Sequence, residues 1–181
     1  MEPGWAYRPD SAKLRVKGAA IGEVEVYMLC GLAGSGKTTY AEGLVGAGVI
    51  KLSIDESMSE HGVAGVDYPI EDYQALEQTV LERHRAELVG HIAAGTAVAL
   101  DYGFKTRSER DEYKDLIQSN GGRWRLLYFK VPPEELWRRI DHRNQSPAAN
   151  AVYIPQEVFD LMLGWFEEPS GEGEEIIEAR V

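Results

Sequence analysis

The sequence predicts an α/β fold, a parallel β-sheet with helices on both faces, and three observations carry that expectation. Apolar, strand-like segments alternate along the chain with segments of helical periodicity. TAVALD at 96–101 is an unbroken apolar run ending in an acid, as a strand buried on both faces requires. VEVYMLC at 24–30 runs straight into a glycine-rich turn and then into helix-forming sequence.

The elements follow in order. VEVYMLC is the first strand, and the helix after it starts near Gly36. VIKLSID at 49–55 has short strand character and closes on a carboxylate. From 71 to about 94, Leu76, Val80, His84, Leu88 and Ile92 recur at i, i+4, which predicts a long amphipathic helix. His84 stands within that apolar row and reads as a satisfied core residue rather than a catalyst. TAVALD is the third strand. SERDEYKDLIQSNGG at 108–122 reads as a helix with Ser108 as N-cap, acids in its first turn and glycines at its stop. WRLLYFKV at 124–131 is the fourth strand, followed by PPEELWRRIDHRNQ at 132–145, a helix opened by proline. IPQEVFDLMLGWF at 154–166 predicts another helix and EEIIEA at 174–179 a short fifth strand; EEPSGEGEE reads as a solvated loop. Residues 1–22, rich in Gly, Pro and charge, read as an extension before one domain spanning 23–181.

Composition narrows the function classes. A chain of 181 residues suits one domain with a sizeable core. The net charge of -11 repels nucleic acid and anionic membrane at long range. Cys30 is the single cysteine, which excludes an internal disulfide and fits a reducing compartment. MEPGWAYRPD lacks the layout of a signal peptide. No apolar run approaches the ~18 residues that span a bilayer. The expectation is a soluble, cytoplasmic protein.

The chemistry concentrates in Gly31-Leu32-Ala33-Gly34-Ser35-Gly36-Lys37-Thr38, which satisfies G-x-x-x-x-G-K-S/T. Glycines in such a turn let backbone N–H groups converge on an anion at a helix N-terminus. Gly31, Ala33, Gly34, Ser35, Gly36, Lys37, Thr38 and Thr39 are therefore the candidate nucleotide-binding residues. Lys37 is placed to reach β- and γ-phosphates, and the Thr38 hydroxyl to ligate Mg²⁺. An N-K-x-D base-specifying motif is absent, which weighs against a guanine-specific switch. The chain is also short for a two-part ring ATPase module.

In open α/β sheets ligands sit beyond the carboxyl ends of the strands, where Asp55 and Asp101 are expected. Asp101 fits the second Mg²⁺ ligand. Asp55 fits a base that orients an attacking hydroxyl, with Glu56 as the fallback. Phosphoryl transfer also needs cations against the moving charge. At 100° per residue Arg139 and Arg143 share one helix face while Arg138 points away, so Arg139 and Arg143 are the candidate phosphate clamp, in a lid around 133–150. Arg107, after the Asp101 strand, is a further candidate for substrate or γ-phosphate; Lys105 and Arg110 are weaker ones. Tyr68, Tyr73, Tyr102 and Phe104 could line an acceptor pocket, and residues 58–73 fall where an acceptor-binding loop belongs. His61 and His142 take no role, and no Cys/His spacing suggests zinc.

With GLAGSGKTT, KLSIDE, AVALDYGFKTRSERD, LLYFKVPPEELWRRIDHRN and FEEPSGEGEE in this order, the sequence resembles P-loop kinase-like AAA family ATPases. These include proteins similar to zeta toxin, chloramphenicol phosphotransferase, gluconate kinase and phage polynucleotide kinase. The resemblance covers most of residues 24–175. It implies a three-layer P-loop NTPase fold with a five-stranded sheet of order 2-3-1-4-5, ATP with Mg²⁺ as donor, and a hydroxyl acceptor. It also implies Asp55 as base and Arg139 and Arg143 as lid arginines. DYG at 101–103 departs from relatives that carry small or hydroxyl residues after the aspartate.

The resulting expectation is an ATP-dependent kinase acting on a small-molecule hydroxyl, antibiotics and metabolites being among the acceptor classes. One alternative is a polynucleotide 5′-hydroxyl kinase, against which the acidic charge counts. Another is a regulatory module that hydrolyses ATP and acts through a protein partner.

Overall fold

The computed structural model describes residues 23–62, 65–145 and 153–178. The extension at 1–22, residues 63–64 of the expected acceptor loop, residues 146–150 of the lid and residue 179 of the expected fifth strand lie outside the described residues. Strands β1 (Val24–Cys30), β2 (Ile50–Ser53), β3 (Val98–Gly103), β4 (Gly122–Lys130) and β5 (Glu174–Glu178) form one sheet of order β2-β3-β1-β4-β5. Every neighbouring pair is parallel. Between them run α1 (Lys37–Val45), α2 (Ile54–Ser59), α3 (Tyr73–Ala93), α4 (Arg107–Ser119), α5 (Pro133–Gln145) and α6 (Gln156–Trp165). A 3₁₀ turn at Ile70–Asp72 leads into α3. The expected sheet order and α/β class hold.

Alternation along the strands divides the core in two, because successive side chains leave a strand on opposite faces. Val26, Met28 and Cys30 of β1 join Val98, Leu100, Leu126 and Tyr128 beneath α3 and α4, which contribute Leu88, Ile92, Tyr113 and Ile117. Tyr27 and Leu29 point the other way, with Ala99, Leu127 and Phe129, against Tyr40, Ala41 and Leu44 of α1. Strand β1 is central, and Val26 to Cys30 are buried on both faces. A third cluster packs Leu136 and Ile140 of α5 and Phe159 of α6 against Leu32 of the glycine loop. That contact seats the lid helix on the loop.

Several boundaries differ from the expectation, each for a local reason. Strand β2 stops at Ser53, whose hydroxyl accepts from the Glu56 N–H and so caps a helix at once. Asp55 is thus in the first turn of α2, not at the end of a strand. Thr106, not Ser108, caps α4, accepting from the Glu109 N–H. Strand β4 begins at Gly122, two residues early, where a Cβ would meet Ile117 at 2.8 Å. The loop before β5 is not simply solvated, since Glu172 within it is buried.

Candidate functional site

The glycine loop joins β1 to α1 and closes through two backbone bonds. The Gly31 N–H donates to the Gly103 carbonyl at 2.9 Å, linking it to the end of β3, and the Ser35 N–H donates to Leu32 at 3.2 Å. Gly34 and Gly36 have φ of +81° and +95°, the region that an L side chain resists. At Gly34 the space is also taken, for a Cβ there would lie 3.3 Å from Ile140 Cγ1. Helix α1 starts at Lys37 with Gly36 at its N-cap, no side-chain cap and no acid in its first turn. Its N-terminal amides and helix dipole therefore face the hollow of the loop, an arrangement suited to an anion.

Three side chains converge there. The Lys37 ammonium donates to the Leu32 carbonyl at 2.9 Å and lies 3.4 Å from Ser35 Oγ. The Thr38 hydroxyl donates to Asp101 Oδ2 at 2.8 Å. Asp101 leaves β3 on the α1 face and is buried. Burial lowers the Lys37 pKa against the pull of Asp101 and Asp55, and burial raises that of Asp101 against Lys37. Both ions are thus pushed towards their neutral forms in the absence of further charge.

Asp55, in the first turn of α2, is exposed. Lys37, Asp101, Arg143 and Tyr73 all lie within electrostatic reach of its carboxylate. They come from α1, β3, α5 and α3. Glu56 instead pairs with Lys51 at 2.6 Å, and Lys51 also pairs with Glu42.

The α5 arginines divide as their helical angles predict. Arg138 is exposed and pairs with Glu135. Arg139 is largely buried, donates from Nε to Glu135 at 2.6 Å and reaches the Gly34 carbonyl at 3.3 Å. Glu135 was not foreseen, although its i, i+4 spacing to Arg139 was readable. The bonds from Arg138 and Arg139 hold its carboxyl at about 2. Arg143 is half-buried, and burial lowers its pKa while Asp55 opposes that shift.

Other candidates are not brought to the loop. The Arg107 side chain is exposed and pairs with Asp111 on its own helix at 3.6 Å. Arg110 is fully buried and pairs with Glu172. Tyr102 and Phe104 are buried in the core beneath α3 and α4 rather than lining an open pocket. Tyr73 and Tyr68 do lie on the Asp55 side, near one another.

The donor set at Thr38 and Asp101, one hydroxyl and one carboxylate, consists of hard oxygens and fits Mg²⁺. That ion is commonly held by one or two carboxylates together with substrate phosphates. Among the described residues no group of three or more His, Cys, Asp or Glu side chains could hold a metal ion. Nor is any helix there long and apolar enough to cross a membrane.

Comparison with known proteins agrees with this architecture. The family profile described as "AAA domain" matches residues 26–169, most of the chain, and the chain belongs to that family. No curated protein matches the sequence. Among solved structures, a putative kinase from Chloroflexus aurantiacus J-10-fl is similar at TM-score 0.68 and 15% identity, over 88% of this chain and 86% of that one. A chain of the Pnkp1/Rnl/Hen1 RNA repair complex is similar at TM-score 0.66 and 17% identity, over 82% of this chain. This protein spans only 46% of that longer chain. The Mycobacterium tuberculosis APS kinase CysC, solved with AMPPNP and APS, is similar at TM-score 0.57 and 14% identity, over 87% and 89%. The shared fold is that of P-loop NTPases.

Proposed function

Proceeding from membership of the AAA domain family, we propose that the protein is an ATP-dependent kinase that phosphorylates a hydroxyl of a small molecule. The observation that carries this reading is the Thr38–Asp101 bond of 2.8 Å, with Lys37 and Asp55 within electrostatic reach of Asp101. Holding the nucleotide needs only the first three groups. A further carboxylate near them is what an attacking hydroxyl adds, that of an acceptor or, in its absence, of water.

In this reading the loop amides and Lys37 hold the β- and γ-phosphates of ATP. Mg²⁺ would be held by Thr38 and Asp101 and would neutralise phosphate charge there. Asp55 orients the acceptor and takes its proton as the alcohol oxygen bonds to the γ-phosphorus. The bond from that phosphorus to the bridging oxygen breaks, and its electron pair leaves with ADP. Arg139 and Arg143 bring positive charge from α5 to the transferring group, Arg139 being held in place by Glu135.

The acceptor side is acidic. Residues 52–82 hold Asp55, Glu56, Glu60, Asp67, Glu71, Asp72, Glu77 and Glu82 and contain no lysine or arginine. Together with the net charge of -11, this supports a neutral or cationic acceptor over a polyanion.

The test is transfer of labelled γ-phosphate to a panel of sugars, amino alcohols and antibiotics, with a 5′-hydroxyl oligonucleotide as comparison. The expected outcome is a labelled small-molecule product, lost by about 10²–10⁴-fold in Asp55→Asn with ATP binding retained. Label released only as inorganic phosphate would favour the ATP-hydrolysing module, and label on the oligonucleotide the polynucleotide kinase.

A further inference from the structure

A buried polar chain lies beside the site, and none of the chemistry above uses it. Ser57 of α2, His84 of α3 and Tyr102 of β3 are all buried. Ser57 Oγ is 2.9 Å from His84 Nε2, and the Tyr102 hydroxyl is 2.9 Å from His84 Nδ1. His84 stands in the row Val80, His84, Leu88, Ile92 that α3 buries, where an apolar side chain would pack without needing partners. Burial lowers its pKa, while Glu87 and Glu60 oppose and Arg83 assists, which keeps the ring neutral at physiological pH. A neutral imidazole has one donor and one acceptor nitrogen. One hydroxyl therefore donates to the ring and the other accepts from it, so both bonds can form together.

The two ends of this chain are informative. Ser57 lies two residues beyond Asp55 on α2, and Tyr102 follows Asp101 on β3. A helix as short as the six residues of α2 has little stability of its own and depends on what it is fastened to. Tyr102, by contrast, is anchored among rings. It stacks on His84 at 5.7 Å and 15°, and meets Phe104 and Tyr113 at 5.7 and 5.6 Å. Asp101, on the opposite face of β3, is tied to Thr38.

We infer that Ser57, His84 and Tyr102 form a bridge that fastens the Asp55 helix to the Asp101 strand, so that His84 is a positioning residue for the Asp55 carboxylate. The consequence for activity rests on the kinase reading; the fastening of α2 does not. A displacement of about 1 Å at a reacting group can lower turnover by up to ~10²-fold. The bridge meets the loop and α1 through β3, where Gly103 accepts from Gly31 and Asp101 accepts from Thr38. Those two bonds stay in place when a bridging hydroxyl is lost, so breaking the bridge lowers kcat and spares affinity for ATP.

The experiment compares Ser57→Ala, Tyr102→Phe, their double variant, His84→Phe and His84→Gln with the wild-type chain. Three quantities are read: kcat and KM for Mg·ATP hydrolysis with water as acceptor, binding of mant-ATP, and hydrogen exchange of the amides in 54–59 and 37–45. Each single variant is expected to lower kcat about tenfold, to leave the mant-ATP Kd within about twofold, and to speed exchange in 54–59 only. The double variant should be no worse than either single one, because a chain cut once is already cut. His84→Gln, which retains a donor and an acceptor, should recover part of the loss that His84→Phe shows.

Losses that multiply in the double variant, or exchange in 54–59 that stays at the wild-type rate, would overturn the bridge. Equal damage to mant-ATP binding would overturn it as well. Should His84→Phe fail to fold, Ser57→Ala and Tyr102→Phe each remove a single hydroxyl and carry the test. If Asp55→Asn leaves transfer and hydrolysis unchanged, the kinase reading falls, while the exchange data still decide whether the bridge exists.

Discussion

Two clusters of buried charge sit at different places in this molecule, and they are built on opposite terms. Arg110 of α4, fully buried, donates to both carboxylate oxygens of Glu172, at 2.8 and 2.6 Å. It also bonds the Phe104 carbonyl at 3.1 Å, and Lys114 approaches Glu172 at 3.3 Å. Burial works against both charges, yet the pair outweighs it: Arg110 is shifted up, and the Arg110 bonds hold Glu172 down at about 2. At the phosphate loop the balance is reversed. Lys37 is shifted down and Asp101 up, with burial the largest cause of each. A charge cluster that satisfies itself joins elements of the fold. One whose charges remain under-compensated is arranged for something that arrives with charge, as a magnesium–nucleotide complex does.

The largest effect expected from breaking this contrast is at Arg110. Arg110→Ala leaves the Glu172 carboxylate buried without its main partner, and stability measured by urea denaturation should fall by about 3–5 kcal/mol. The same pair predicts a pH response. The Glu172 pKa is depressed in the fold, so its contribution is fully present above the ordinary glutamate value and is lost as pH falls from there towards about 2. A wild-type denaturation series over that interval should show the decline, and the Arg110→Ala series should be flatter.

Lys37→Ala tests the other cluster and should separate activity from stability. On the proposed reading it removes a phosphate contact, and turnover of Mg·ATP should fall by about 10²–10³-fold. The melting temperature should fall less than in Arg110→Ala, because the lost ammonium is one that burial disfavours, although Asp101 loses its main counter-charge.

The smallest effect is expected at Asp101. Asp101→Asn retains an acceptor for the Thr38 hydroxyl and removes a carboxylate that burial disfavours, so stability should hold or rise slightly. The dependence of nucleotide affinity on Mg²⁺ should largely disappear, as titration of mant-ATP with and without the ion would measure. In the wild-type chain the Asp101 pKa is raised, so acidification protonates it at a higher pH than an ordinary aspartate. Mg²⁺-dependent binding should weaken correspondingly early.

Much of this was legible before any coordinates. Strand periodicity, the unbroken run before Asp101 and the glycine loop between strand and helix are local patterns, and the structure forms each as the element its pattern implies. The helical angles alone separated Arg138 from Arg139 and Arg143. Other features were out of reach because they depend on residues far apart in the chain. Nothing in EEPSGEGEE announces that Glu172 will meet Arg110, a partner 62 residues away. His84 could be placed in a buried row, but its two hydroxyl partners lie 27 and 18 residues off, on separate elements. Arg107 looked well placed by order along the chain, and its side chain turned to Asp111 instead.

By itself, then, the sequence determined the α/β class, the identity of the strands and the phosphate loop, because hydrophobic period and glycine conformation act within a few residues of one another. Only the tertiary structure decided which charges neutralise each other and which stand facing the loop. It also moved Asp55 from a strand end onto a short helix, where its position depends on what that helix is tied to. Electrostatic and hydrogen-bond partners are chosen by proximity in space, and sheet order, not chain order, sets that proximity.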